Sequence, residues 1–475
     1  MIFMYSLKLC KNTKKTTFRR KIIRIFAQIK SLTVFSRYLD SMRSYKFEYS
    51  YPLLSIGIAL STGIVIGETF HSSLSTCYGL ISSICQLILC LLCKKEKPQS
   101  LLILITVLCM GFTLASHQKD EARKQTSYYT YQELSAFDRT KLQAAEWKQD
   151  LEDSYRQMDI PQDGYAILTA MTLGDKSALD QETKAYYSAS GASHITAVSG
   201  LHIGIIFQLL LFILAGKRSY NKHYIPNYLI ILALTSIWAY TLLIGMPASA
   251  IRSSCMVSIY CMTLVMRRRS KAINCLILTA IIMLCFSPSY IFDISFQLSF
   301  IAVLFIITLF PKMAHWIDTP WTKKHPLMKS PLTMLSVSAA AQIGTMPIIA
   351  YYFGYISCYS LLANMIAIPS ATLILYGGVG YLICAPFPCL QTIFAHILSF
   401  VTKILNESIS IIAHLPGASI NGIKISILQL CLLYVAIIAG CILIHKLRLF
   451  HFHRNHLCCS HKDYNSQGCQ TSPLD

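Results

Sequence analysis

The chain has 475 residues, of which 54% are hydrophobic and 13% charged, and its mean hydropathy is +0.49. So large an apolar share with so few charges excludes a soluble globular protein of this length and points to a polytopic membrane protein. The formal charge of +20 is not by itself a nucleic-acid signal, because it is gathered in short runs between apolar segments, as the positive-inside rule requires.

Residues 1–50 form a basic leader. Within 1–46, twelve Lys and Arg face the single acid Asp40. The leader has no contiguous apolar core and does not read as a signal peptide. Its start is expected to be over-extended, because Met42 would leave only a short polar lead into the first apolar run. Runs at 52–70, 77–93 and 100–116 predict three helices in an N-terminal unit, 51–116, each near the roughly 20 residues that cross about 30 Å of hydrocarbon. The polar stretch 117–163, with seven basic and ten acidic residues, predicts an extracytoplasmic helical linker.

A second membrane unit, 164–445, follows. Its apolar runs lie near 195–215, 225–245, 248–266, 272–288, 294–311, 332–353, 359–384 and 425–444. A weaker run at 391–413 carries Lys403 and Glu407 and either spans or lies in the interface. The expected fold is therefore an all-α polytopic integral membrane protein with about 11 to 12 transmembrane helices, some broken by proline. Basic groups at Lys94, Lys95 and Lys97, at Lys217 and Arg218, at Arg267, Arg268, Arg269 and Lys271, and at Lys312, Lys323 and Lys324 fall on the side of the N-terminus, which is expected to be cytoplasmic. Most of the eighteen cysteines lie inside apolar runs and read as small hydrophobes. The polar tail, 446–475, contains His451-Phe-His-Arg-Asn-His456. That spacing resembles a hydrolase metal motif, but too little chain follows to supply further ligands, so no metal site is expected.

Polar chemistry concentrates where SGASHITAVSGLHIGII, 190–206, passes from small polar residues into an apolar helix. Gly200 and Gly204 form a small-xxx-small pair that predicts close helix approach. Ser199 and His202 are three apart on one face, beside His194. They serve either as interhelical packing groups or as the lining of a hydrophilic path. Arg252 follows GMPASAI, with Pro247 at its turn, and is costly in lipid unless it meets protein, water or an anion. Asp293 and Gln297 share a helix face, so Arg252 either pairs with Asp293 or stays free for an anionic substrate. Pro347 and Pro369 are expected to break two later spans that carry Gln342 and Asn364, which favours a polar interior.

The segments LTAMTLGDKSAL, which holds Gly174 and Asp175, YSASGASHITAVSGLHIG, GMPASAIRSSCM, FDISFQLSFIAV, AQIGTMPIIAYYFGYIS and LLANMIAIP together resemble, in order, the membrane domain of the ComEC family of DNA-uptake proteins. The opening YPLLSIGIALSTGIVIGE is similar to that family's first span. The resemblance implies a multi-pass channel in the cytoplasmic (inner) membrane that imports single-stranded DNA during natural transformation. His194, Ser199, His202, Arg252, Asp293, Gln297, Gln342 and Asn364 would form the substrate path. Gly174, Asp175, Gly200, Gly204, Pro247, Pro347 and Pro369 would be structural. No catalytic residue, metal or cofactor is expected. The partners implied are single-stranded DNA, the lipid bilayer, a separate nuclease, a DNA receptor, a cytoplasmic motor and a second copy in a homo-oligomer.

Two departures from the family pattern bear on this. The stretch 117–163 is too short for the family's OB-like domain, and no metallo-β-lactamase-like nuclease domain follows, so the chain resembles the membrane core alone. Rival readings are a transporter of a small polar or lipidic solute, an intramembrane hydrolase with Ser199 as nucleophile, and a homologue that no longer transports.

Overall fold

A computed structural model describes residues 52–69, 81–86, 88–89, 96–125, 136–216, 225–266, 271–317, 322 and 324–443. The leader, most of the run 77–93 and the His/Cys tail lie outside the described residues. The architecture is all-α. Among the described residues, six helices are long and apolar enough to cross a membrane, and shorter apolar helices accompany them.

The first helices are α1 (Pro52–Thr69) and α2 (Glu96–Gln125). They touch at glycines: a Cβ at Gly63 would stand 1.9 Å from the Leu108 carbonyl oxygen, one at Gly67 2.7 Å from that of Phe112, and one at Gly111 2.5 Å from that of Leu60. Backbone meets backbone here, as small residues permit between membrane helices. The order of these contacts makes α1 and α2 parallel. Lys119 at the far end of the pair meets the Glu68 carboxylate at 2.7 Å. α2 runs on to Gln125, past the apolar run expected to end at 116.

The polar helix α3 (Ala136–Arg156) agrees with the helical linker expected there. Next come α4 (Gln162–Thr172), in which Gly164 through Thr172 are all buried, and α5 (Gln181–Ala189). Asp180 caps α5 by accepting from the Thr183 amide at 3.1 Å. The hydrogen bonds from Thr183 hold the Asp180 carboxyl below the usual carboxylate range.

The membrane helices that follow are α6 (Gly200–Ala215), α7 (Asn227–Leu243), α8 (Ala248–Val265), α9 (Ala272–Phe286), α10 (Ile294–Ile317), α11 (Pro326–Phe353), α12 (Ser360–Ile383), α13 (Pro388–Ala413) and α14 (Ile427–Leu443). A short 3₁₀ turn, Pro288–Phe292, joins α9 to α10. Two short strands, β1 (Tyr355–Ser357) and β2 (Ser419–Asn421), pair antiparallel with Ile356 opposite Ile420. They tie the exit of α11 to the entry of α14. Ser426 and Gln429 cap α14 reciprocally, the Ser426 amide donating to Gln429 Oε1 at 2.8 Å and the Gln429 amide to Ser426 Oγ at 3.3 Å.

Three apolar clusters hold these elements. One unites α4 with α12 and α13, a second α6 with α7 and α8, and the third α1 and α2 with α9 and the start of α10. α12 meets the first cluster with Ala363, Ala367 and Ala371, four residues apart, and with Gly377 and Gly378. A Cβ at Gly377 would lie 2.9 Å from Leu398 of α13.

Two sequence expectations are corrected. The prolines do not break their helices: Pro331 and Pro347 sit within a continuous α11, and Pro369 within a continuous α12. Each proline removes one backbone bond, and packing on both sides keeps the helix running through it. The small-xxx-small pair is also split. A Cβ at Gly200 would lie 3.0 Å from Ser253 Oγ, but one at Gly204 would meet nothing within 4 Å.

These contacts sort the glycines by tolerance. Gly63→Leu is expected to abolish α1–α2 packing and remove most monodisperse protein, whereas Gly204→Leu should extract as well as the parent. Size-exclusion profiles of detergent-extracted variants check both; equal yields would show that α1–α2 contact is dispensable.

Candidate functional site

The segment 190–199 connects α5 to α6 and is seated by its apolar residues. Ala192 and Ile195 are fully buried and Val198 nearly so. Gly191 adopts φ +81°, and a Cβ there would stand 2.5 Å from Ser360 Cβ and 2.8 Å from Ser357 Oγ, so only glycine fits. On the other side, the Ser249 hydroxyl donates to the Val198 carbonyl at 2.7 Å. The segment is thus wedged between the β1–α12 junction and the start of α8.

Around that wedge, polar side chains are buried without partners. Ser199 Oγ, both ring nitrogens of His202, Ser357 Oγ, Ser360 Oγ, Asn364 Oδ1, and Arg252 Nε and one terminal guanidinium nitrogen make no hydrogen bond to the protein. Burying such a group unpaired costs about 1–3 kcal/mol, so a cluster of them marks a place that water or a polar ligand satisfies. Ser199 is the N-cap residue of α6, yet its side chain makes no cap bond. His194 hydrogen-bonds the Gly191 backbone. Gln342 donates to the Ser357 carbonyl at 3.2 Å.

Arg252 and Asp293 approach to 3.8 Å, the arginine buried and the aspartate about a third exposed. This is an ion pair without a hydrogen bond. Asp293 is occupied otherwise, capping α10 by accepting from the Ser295 amide at 2.9 Å. Gln297 donates to the Ile291 carbonyl at 2.9 Å, so it braces the 3₁₀ turn.

The residues expected to be structural are in turns and interfaces. Gly174 has φ +73°, and the Ser177 amide and hydroxyl donate to Asp175 at 3.0 and 2.6 Å. Burial raises the Asp175 pKa, but those two hydrogen bonds outweigh it and leave the carboxyl below its usual range. Pro247 is the N-cap residue of α8, after Gly245 and Met246, both at positive φ. Gly204 lines an apolar groove of 650 Å³ between α6, α7, α8 and α12, with Phe207, Phe212, Tyr260 and Tyr376 in its wall.

The structure therefore brings His194, Ser199, His202 and Asn364 around one wedge, with Gln342 reaching it through Ser357. Arg252 lies on α8 next in sequence to the Ser253 that touches Gly200, with its guanidinium turned to Asp293. Asp293 and Gln297 stand behind Arg252. Sequence reasoning did not single out Ser357 and Ser360; both lie in small, polar stretches without a periodic signal, and only the approach of Gly191 buries them. Among the described residues, no group of three or more His, Cys, Asp or Glu could hold a metal ion.

The competence-protein family matches residues 171–447. The chain is 30% identical over 219 residues to ComE operon protein 3 of Bacillus subtilis, covering 46% of this chain and 26% of that protein. It is 29% identical over 206 residues to an uncharacterized protein of Aquifex aeolicus, covering 43% and 44%, and 25% identical over 215 residues to the uncharacterized protein YcaI of Escherichia coli, covering 44% and 28%. The chain thus spans less than half the length of these curated relatives. No solved structure matches it.

The pair at 3.8 Å makes a specific demand. Asp293→Asn keeps the cap acceptor and leaves Arg252 buried without its counter-charge, so it should lower thermal stability more than Arg252→Ala does, and adding Arg252→Ala to it should restore stability. Additive losses in a double-mutant cycle would show that Arg252 does not depend on Asp293. With the family match over 171–447 covering more than half of the chain, this membrane protein belongs to the competence-protein family, ComEC.

Proposed function

We propose that the chain is the membrane core of a channel that imports single-stranded DNA across the cytoplasmic membrane during natural transformation. The observation that carries this reading is the set of buried, unpartnered polar atoms on Ser199, His202, Ser357, Ser360 and Asn364, with Arg252 a further one on α8. A polyanion in transit needs neutral hydrogen-bonding groups and sparse cations, because dense basic rings would bind phosphate too tightly to release it. Family membership supplies the substrate class. The chain moves the strand without chemistry of its own. A separate nuclease, a DNA receptor and a cytoplasmic motor complete the system, and a second copy of the chain is a further partner.

Sidedness follows from the basic runs and from contacts. With Arg267 to Arg269 cytoplasmic, α8 starts outside, and so do α3 and the wedge. α12, 24 residues and about 36 Å long, touches the stretch 154–199 at both ends. Ser360 meets Gly191, while Gly378 meets Thr172 and the Tyr381 hydroxyl donates to the Ser154 carbonyl at 3.2 Å. Neither α4 nor α5 is long enough to carry that stretch across the layer. This favours an α12–α13 hairpin lying along the outer side of the bundle.

The three faces of α13 agree. Leu398, Thr402, Leu405 and Ile409 are buried; Ile393, Ile397, Phe400 and Ile404 form an exposed apolar stripe; and Lys403 and Glu407 pair at 3.9 Å on an exposed polar one. That is the pattern of an interfacial helix. α14 then runs inward, with Leu443 at the cytoplasmic side.

A second reading draws on the 650 Å³ apolar groove, which suits a lipidic solute moving between helices.

Deleting the gene and following labelled DNA is expected to leave it outside the cytoplasm. Restoring His202→Ala or Ser199→Ala should give at least about a tenfold deficit in uptake at normal folded yield; yield falling in step with uptake would make these packing residues. Saturable lipid flux that Gly204→Phe blocks, with normal DNA entry, would favour the second reading. For topology, Ala385→Cys in the α12–α13 turn should react with an impermeant maleimide from outside, and labelling from the cytoplasm only would mean that the hairpin crosses.

A further inference from the structure

We infer that the cleft between the end of α11 and the start of α14 is a docking site for single-stranded nucleic acid, where bases stack on aromatic rings before the strand reaches the polar wedge. This rests on the DNA-import reading and assigns it a point of entry.

The cleft measures 740 Å³ and is formed by Tyr351, Tyr352, Phe353 and Gly354 on one side and Gly422, Lys424 and Gln429 on the other. Tyr352 is 41% and Phe353 53% exposed, and Ile423 and Ile425 add apolar surface to the facing wall. The rings form a graded surface: Tyr351 and Tyr352 stand edge to face with centroids 4.9 Å apart, and Phe353 lies 6.2 Å from Tyr355. Gly354, at φ +69°, ends α11 and turns the chain into β1, and the Ile423 amide donates to its carbonyl at 2.9 Å. The two walls are therefore fixed relative to one another by backbone.

The chemistry is that of a single-strand binder, in which aromatic faces take successive bases and a sparse cation meets the phosphates. Ser426 and Gln429 are occupied in capping α14. Lys424 is exposed and makes no ion pair among the described residues, which leaves it as the group for an anion. Position supports the assignment. β1 runs from Tyr355 directly to Ser357, whose hydroxyl is one of the unpartnered atoms at the wedge and whose carbonyl holds Gln342. A strand seated on the rings is thus two residues along β1 from the polar interior. Aromatic residues also anchor membrane helices at the lipid headgroups, but an anchor needs neither the concave wall nor the cation.

The test is binding of a fluorescent 15-nucleotide oligothymidylate to the full chain in lipid nanodiscs, read by anisotropy over a salt series. Tyr352→Ala and Phe353→Ala should each weaken binding about fivefold or more. Lys424→Gln should lower the slope of log affinity against log salt by about 0.7, and Tyr352→Phe should bind as the parent does. Aromatic variants that bind like the parent, or that lose affinity only in proportion to lost monodisperse protein, would overturn the site while leaving the DNA-import reading standing. A parent chain with no affinity for the oligonucleotide would remove both.

Discussion

The candidate polar site depends on one apolar event, the burial of Ala192, Ile195 and Val198 beside Gly191, where the backbone and its close neighbours admit only glycine. Because Gly191 allows Ser357 and Ser360 to close on the backbone, the segment 190–199 enters the protein deeply enough to bury Ser199 and His202. The wedge is therefore a lever: an apolar gain places polar groups where nothing in the protein pairs them. Their concentration about a single segment is what singles it out as the candidate site.

The same segment touches both of the larger apolar clusters: Ala192 and Ile195 belong with α4, α12 and α13, and Val198 with α6, α7 and α8, while α12 bridges the two through Ala371 and Leu375. Ser249 on Val198 and Ser253 on Gly200 fasten the second core to the wedge. Ser357 and Ser360 fasten the first.

Arg252 illustrates how cost and function meet. It is buried and its counter-ion is half committed to capping α10, so its charge is compensated at a distance and not by direct hydrogen bonds. A bidentate pair would lock the guanidinium. The looser arrangement leaves Nε and one terminal nitrogen of Arg252 without a hydrogen-bond partner.

Composition and hydropathy determined the membrane class and the helical architecture, because crossing lipid imposes a length and polarity on every span that is visible without neighbours. The quoted motifs determined the family, and they marked His194, Ser199, His202, Arg252, Gln342 and Asn364, since polar residues stand out against apolar helices. Only tertiary structure decided what those residues meet. Gly200 and Gly204 look equivalent in sequence, yet one faces Ser253 and the other an open groove, because a neighbouring helix covers only one turn. Pro347 and Pro369 look like breaks, yet packing carries both helices through them. Ser357 and Ser360 gave no signal at all, because their burial is made by a glycine more than 150 residues earlier in the chain. That kind of contact depends on long-range closure, which no local pattern of polarity records.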